Sequence, residues 1–217
     1  GRALQRRPDL VVAVRLVDGP PQRVLRGAAV DASMVVLGSR RLSSVREALT
    51  NGSVAVPVAA HARCPVVVVR YPEYDAGLTA KVVVGVDGSE HAERALAWAF
   101  DEAARRGATL LVVRACPVPL APAAAAVAEE MVADARATMR DTLARWTTAY
   151  PDVETQTHVT LGHPVRTLAD VAGDALCLAV GTRGGGGFVR MLLGSVSHGL
   201  IHHARCPLVI IPLAPDD

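Results

Sequence analysis

The stretch that decides the fold is "KVVVGVDGSEHAERALAWAFDEAARRG", residues 81–107. It opens with a run of valines, which is typical of a strand buried in a parallel sheet. Ser89 occupies a favourable N-cap position, and small or apolar residues then recur at helical spacing until Gly107. The stretch therefore predicts a strand, a turn and a helix, which is how a parallel α/β sheet begins.

The same alternation continues to the end of the chain. Further buried strands are predicted at 109–115, 153–161, 175–180 and 208–211, and helices at 127–146, from Pro164 onward and at 195–204. Parallel neighbours need crossover connections, which the helices supply. The pattern predicts an α/β fold with a doubly wound, five-stranded parallel sheet in the order 3-2-1-4-5 and helices on both faces.

The chain contains an internal repeat. "HARCPVVVVR" begins at His61 and "HARCPLVIIP" begins at His203; upstream, Gly38 aligns with Gly181 and Gly52 with Gly194. The repeat predicts two tandem copies, of which the first lacks its beginning. Residues 1–71 are interpreted as the back half of a first domain, 72–80 as a linker and 81–217 as a complete second domain.

The last strand of each copy is a continuous apolar run, and an exposed edge of that kind favours pairing with another strand. The two copies are therefore predicted to form an internal dimer-like unit through these strands. A homodimer of two chains is a further possibility that the sequence leaves open.

Composition narrows the class of protein. Of 217 residues, 51% are apolar and 20% charged, which is typical of a globular chain. A net charge of +2 and 3% aromatic residues argue against a nucleic-acid binder. No apolar run is long enough to span a bilayer, and the four scattered cysteines favour a reducing, cytoplasmic location over a disulfide framework.

Two loops follow neighbouring strands of the predicted sheet, at the edge where ligands bind in such folds. The first carries Asp87, and the second begins at Gly181 and is rich in glycine. Missing side chains at Gly181 and Gly184 are expected to let backbone N–H groups approach a ligand. The helix that starts at Ser195 would offer its N-terminus to an anion, with the hydroxyl groups of Ser195 and Ser197 as donors. These features favour a nucleotide, although a glycine run alone is also typical of a flexible loop and no Walker motif is present.

From Lys81 to Pro212 the chain resembles a universal stress protein domain, and the whole resembles a tandem universal stress protein. Gly181, Gly184, Gly194 and Ser195 match the spacing found in the nucleotide-binding members of that family, and "VVVGVDGS" and the final Cys-Pro strand match as well. The resemblance implies an adenine nucleotide alpha hydrolase-like fold and ATP, with Mg²⁺, as the ligand. Together with Arg183, a candidate to steady a triphosphate, the expected binding residues are Gly85, Val86, Asp87, Ala115, Val180, Gly181, Gly184, Gly194, Ser195, Val196 and Ser197.

The first copy departs from this motif. It keeps Gly38, Gly52 and Ser53, but Arg41 replaces the second glycine and Asn51 is inserted before Gly52. No complete nucleotide site is therefore predicted in the first half.

Histidine, cysteine, arginine and large apolar residues outside the glycine motif have other predicted roles. The His-x-x-Cys pairs of the "HARCP" repeat are interpreted as helix ends that enter the last strands rather than as zinc ligands. His163 and His198 are candidates for general acid–base chemistry, and Arg190 is an alternative to Arg183. Large or apolar residues predicted to lie in the core are Trp98, Cys116, Met139, Trp146 and Cys177.

The function predicted from these features is that of an ATP-binding regulator or sensor in the stress response. A slow ATP hydrolase or autophosphorylating protein is the first alternative, and a ligand-free interaction protein is the second. Binding is favoured over catalysis, and no catalytic residue is assigned, because no motif orients a nucleophile for phosphoryl transfer.

Overall fold

The computed structural model describes residues 5, 7–39, 54–70, 79–118, 124–185 and 192–213. Helices and strands alternate along these residues as the sequence predicts. In chain order they are α1 (Pro21–Ala28), β1 (Val35–Ser39), α2 (Ala55–His61), β2 (Val66–Arg70), β3 (Thr79–Gly85), α3 (Glu90–Arg106), β4 (Thr109–Cys116), α4 (Ala124–Ala149), β5 (Thr155–Leu161), α5 (Pro164–Val171), β6 (Ala175–Gly181), α6 (Ser195–His203) and β7 (Leu208–Ile211).

The strands form one sheet of seven, in the order β1-β2-β7-β6-β3-β4-β5. The prediction of a five-stranded sheet is therefore wrong for the sheet as a whole. Strands β3 to β7 do follow the predicted order 3-2-1-4-5, and their mutual pairings are parallel. The two additional strands come from residues 35–70 and are parallel to each other.

The sheet is larger than predicted because β2 and β7 pair with each other. Their pairing is antiparallel, with Val66 opposite Ile210 and Val68 opposite Leu208. Each strand would otherwise present unpaired backbone N–H and C=O groups at an edge. This is the contact that the edge-strand argument predicts between the two copies.

The opening stretch folds as predicted. Val82, Val83 and Val84 of β3 are fully buried. Ser89 caps α3, since its Oγ accepts a hydrogen bond from the N–H of Ala92 at 3.2 Å. Gly107 ends the helix with φ of 57°, a left-handed conformation that glycine adopts without the steric cost of a Cβ.

Helices cover both faces of the sheet. One core cluster includes residues of α3, α4 and one face of β3, and the other includes residues of α2, α5, α6 and the opposite face. Phe100, Trp146 and Tyr150 stack in the first of these clusters. The predicted core residues are confirmed: Cys116, Met139 and Cys177 are buried, and Trp98 and Trp146 pack against the first cluster.

None of the helices in the described parts of the chain combines the length and apolar character that a membrane-spanning helix needs.

Candidate functional site

A cleft of about 500 Å³ opens at the carboxyl ends of β3, β4 and β6. The chain leaves β3 toward β4 on one side and later returns as β6 on the other, so the cleft lies where the strand order reverses. All twelve residues named from the sequence line this cleft. Sequence reasoning did not find five further lining residues, which are His91, Ala92, Val113, Pro164 and Leu168.

The floor of the cleft is apolar. Val113, Leu168 and Val180 are each almost fully buried beneath it. Gly85 allows this close packing, because a Cβ at that position would lie 2.8 Å from Cδ1 of Leu168. Such a floor can accept a flat apolar group such as a base.

The N-terminus of α6 forms one wall. The N–H of Gly194, the N-cap residue, donates to the carbonyl of Thr182 at 2.7 Å. The N–H groups of Ser195, Val196 and Ser197 have no acceptor among the described residues outside the helix, as is usual in a first helical turn. This wall therefore offers amide donors and the positive end of a helix dipole to an anion.

Ser197 has a different role from the one expected. Its side chain is buried, and its Oγ donates to the carbonyl of Gly181 at 2.7 Å. A buried hydroxyl needs a partner, and this one ties α6 to the end of β6. The expectation that its hydroxyl faces a ligand is wrong, while its N–H remains at the cleft.

Asp87 lies against the glycine-rich loop. Its Oδ1 accepts from the N–H of Ser89 at 3.0 Å, and its Oδ2 accepts from the N–H of Gly185 at 2.9 Å. The carboxylate is thus held by an amide from each of the two loops that end β3 and β6. These loops meet across the cleft, as the predicted strand order requires.

The glycines of the second loop are needed for a reason that the sequence did not indicate. A Cβ at Gly181 would lie 2.6 Å from the carbonyl oxygen of His91, and a Cβ at Gly184 would collide with Oδ2 of Asp87. A Cβ at either position would therefore meet protein atoms. The two glycines allow β6 and its loop to approach α3 and Asp87 closely.

His91 is the main residue that sequence reasoning missed. Its ring lines the cleft, and its Nδ1 lies 2.8 Å from the Oγ1 of Thr182. Burial lowers the pKa of His91, as does the nearby Arg183, while Glu90 and Asp87 act in the opposite direction. No motif marks this residue, although its place in the first turn after the Asp87 loop puts it at the right end of the sheet.

The histidines considered from the sequence lie elsewhere. His163 and His198 are exposed and do not line the cleft. The ring of His198 lies 5.3 Å from that of His202. Arg183 lines the cleft, whereas Arg190 lies outside the described residues.

The "HARCP" segments end helices and lead into the last strands, as interpreted from the sequence. Helix α2 ends at His61 and α6 at His203, and the cysteines that follow, Cys64 and Cys206, are buried. Among the described residues no three His, Cys, Asp or Glu side chains are grouped so that they could hold a metal ion. In the first copy, Gly38 lies in β1, while Arg41, Asn51, Gly52 and Ser53 lie outside the described residues.

Comparison with known proteins identifies relatives. The model of the universal stress protein family matches residues 1–70 and 79–212. A universal stress protein of Mycobacterium tuberculosis is 36% identical over 206 residues, which are 93% of this chain and 69% of that protein.

Solved structures support the fold. A universal stress protein from Archaeoglobus fulgidus matches with a TM-score of 0.62 and 23% identity, over 91% of this chain and 67% of its own. The universal stress protein UspA from Lactobacillus plantarum matches with a TM-score of 0.55 and 25% identity, over 63% of this chain and 99% of its own.

Proposed function

Because the chain belongs to the universal stress protein family, we propose that its cleft binds ATP and that ATP occupancy makes the protein a regulator or sensor in the stress response. One observation carries this proposal: the free amides of the α6 N-terminus and the carboxylate of Asp87 lie along one cleft with an apolar floor. A volume of about 500 Å³ is in the range of small-molecule sites.

The phosphate groups would lie at the N-terminus of α6. Amide donors from Ser195 to Ser197 and the helix dipole favour negative charge there. Arg183 lines the same cleft and adds a full positive charge. The helix N-terminus and Arg183 are thus two sources of positive potential, and they support a polyphosphate ligand over a neutral one.

The nucleoside would lie over the apolar floor. Val113, Leu168 and Val180 offer a surface on which a base can pack, and Ala115 leaves space beside them. Asp87 already accepts two amide bonds, but each carboxylate oxygen has a second lone pair for a ribose hydroxyl. Asp87 would also be the carboxylate nearest to a Mg²⁺ ion, whose role would be to neutralise phosphate charge.

The domain organisation is part of the proposal. The repeat, the two matched segments and the β2–β7 pairing support two copies joined into an internal dimer-like unit. The four free cysteines, all buried, support a reducing, cytoplasmic location.

Calorimetric titration with ATP tests the proposal. Gly184→Asp places a second carboxylate against Asp87 at the glycine loop, where like-charge repulsion costs several kcal/mol. We expect a loss of affinity of at least about 100-fold, with the circular dichroism spectrum unchanged. Gly27→Asp is the matched control, since Gly27 is exposed on α1 with open space around it.

Unchanged ATP affinity in Gly184→Asp, or no ATP binding by the wild-type protein, would overturn the proposed site. Measuring the release of inorganic phosphate from the ATP complex distinguishes a protein that only binds ATP from one that hydrolyses it slowly. Turnover that is lost in Asp87→Asn while ATP binding is retained would favour the hydrolase alternative.

A further inference from the structure

His91 and the anion-binding wall of the cleft are connected through one residue. Thr182 is buried, and its Oγ1 is hydrogen bonded to Nδ1 of His91. Its carbonyl accepts from the N–H of Gly194 at 2.7 Å and from the Oγ of Ser197 at 3.3 Å. Thr182 therefore fixes the position of the His91 imidazole relative to the first turn of α6.

This arrangement leaves one ring nitrogen for a ligand. Nδ1 is engaged by Thr182 and the ring lines the cleft, whereas Nε2 has no hydrogen-bond partner among the described residues. A neutral Nε2 can donate or accept one hydrogen bond, whereas a protonated ring donates from both nitrogens and carries a positive charge. The protonation state of His91 thus changes what the cleft offers to a phosphate group.

Among the described residues, three charged side chains act on His91. Arg183 approaches from the loop after β6, Asp87 from the loop after β3, and Glu90 precedes His91 on α3. Helices α5 and α6 and strand β4 contribute lining residues that are not ionisable among those described. Without a ligand, burial and Arg183 outweigh the two carboxylates, so the ring is neutral at pH 7.

We propose that His91 is a ligand-binding residue of this cleft and that it takes up a proton when ATP binds. The inference rests on the proposed function, since it concerns the same site. A bound polyphosphate brings several negative charges to the wall that Thr182 connects to His91, and these stabilise the imidazolium. Binding and protonation then favour each other, so ATP affinity rises as the pH falls.

The experiment is a titration with ATP at pH 5.5, 6.5 and 7.5, in two buffers of different ionisation enthalpy. The variant is His91→Asn, whose amide retains a hydrogen-bonding group near the position of Nδ1 but does not titrate. His198→Asn is the matched control, because His198 is exposed on α6 and lies outside the cleft lining.

We expect the ratio of wild-type to His91→Asn affinity to rise about three- to tenfold from pH 7.5 to pH 5.5, because only the wild-type ring can gain a proton on binding. The wild-type protein and His198→Asn should take up protons on binding, and His91→Asn should take up fewer. Protonation of ATP itself acts on all variants alike and cancels in the ratio.

Parallel pH profiles for the wild-type protein and His91→Asn would overturn the inference while leaving ATP binding intact. Absence of ATP binding at every pH would overturn the proposed function as well. If His91→Asn does not fold, NMR titration of the His91 imidazole in the wild-type protein decides, since a pKa that ATP does not raise contradicts proton uptake.

Discussion

The second copy ties its last helix to the neighbouring strand with side-chain hydrogen bonds, and the first copy does not use the same residue. The repeat aligns Ser197 of α6 with Ala55 of α2. Both residues are buried at the start of their helices, but the Ser197 hydroxyl donates to the carbonyl of Gly181 and Ala55 has no hydroxyl to donate. The β1–α2–β2 unit therefore forms without this bond, whereas the end of β6 and the first turn of α6 are joined by it.

The aligned glycines make the same point. A Cβ at Gly181 would lie 2.6 Å from the carbonyl oxygen of His91, whereas a Cβ at Gly38 of β1 meets no atom of the described residues within 4 Å. Among the described residues, the steric requirement at Gly181 therefore has no counterpart at Gly38. The requirement arises from α3, which packs against the end of β6.

The largest expected effect is a difference in the free energy of unfolding between substitutions at these two glycines. Gly181→Val forces side-chain atoms against the backbone of α3, and we expect it to lower the free energy of unfolding by about 2–3 kcal/mol. Gly38→Val, whose Cβ meets no described residue within 4 Å, should change it by less than about 0.5 kcal/mol. Urea unfolding of both variants measures the difference, and equal destabilisation would refute the contrast.

A smaller effect is expected from exchanging the aligned helix residues. Ser197→Ala removes the hydroxyl bond to Gly181, which should cost about 1 kcal/mol of stability. It should also weaken ATP binding several-fold, because the first turn of α6 is then less firmly positioned. Ala55→Ser is the reciprocal change, and we expect it to leave ATP affinity unaltered. Equal ATP affinity in Ser197→Ala and the wild-type protein would show that the bond is dispensable for the cleft.

Local signals in the sequence were sufficient for much of the fold. The limits of α3 followed from Ser89 and Gly107, and the order of β3 to β7 followed from strand–helix alternation. The extent of the sheet did not follow, because the predicted count of five strands considered residues 81–217 alone, although the pairing of the last strands was itself predicted. Strand count therefore depends on an interface that periodicity within one copy does not describe.

The lining of the cleft was predicted better than its internal contacts. The motif spacing predicted that Asp87 and Gly184 belong to the same site. In the structure both line the cleft and lie side by side. The bonds of Ser197 and His91 depend on side-chain direction at the ends of α6 and α3, which spacing alone does not fix. His91 was missed for that reason, whereas His163 and His198 were considered because they lie near recognisable motifs.

The smallest expected effect is on the pH dependence of the free energy of unfolding, and it concerns the cysteines of the two "HARCP" segments. Burial raises the pKa of the Cys206 thiol to about 12, and burial also raises the pKa of Cys64. In the unfolded chain these thiols lose their protons near their ordinary value of 9.0. As the pH approaches 9.0 and rises beyond it, the unfolded state binds fewer protons than the native state, so the free energy of unfolding falls until the pH reaches the native pKa.

Between pH 7.5 and pH 9.0 the protected Cys206 thiol should therefore lower the free energy of unfolding by about 0.4 kcal/mol. Cys206→Ala removes this contribution, and the cost of the lost sulfur cancels when one variant is compared at the two pH values. Cys64→Ala applies the same test to the first copy. If the free energy of unfolding depends on pH as steeply in Cys206→Ala as in the wild-type protein, this thiol is open to solvent. If the dependence is flatter in only one of the two variants, the two aligned cysteines are protected unequally.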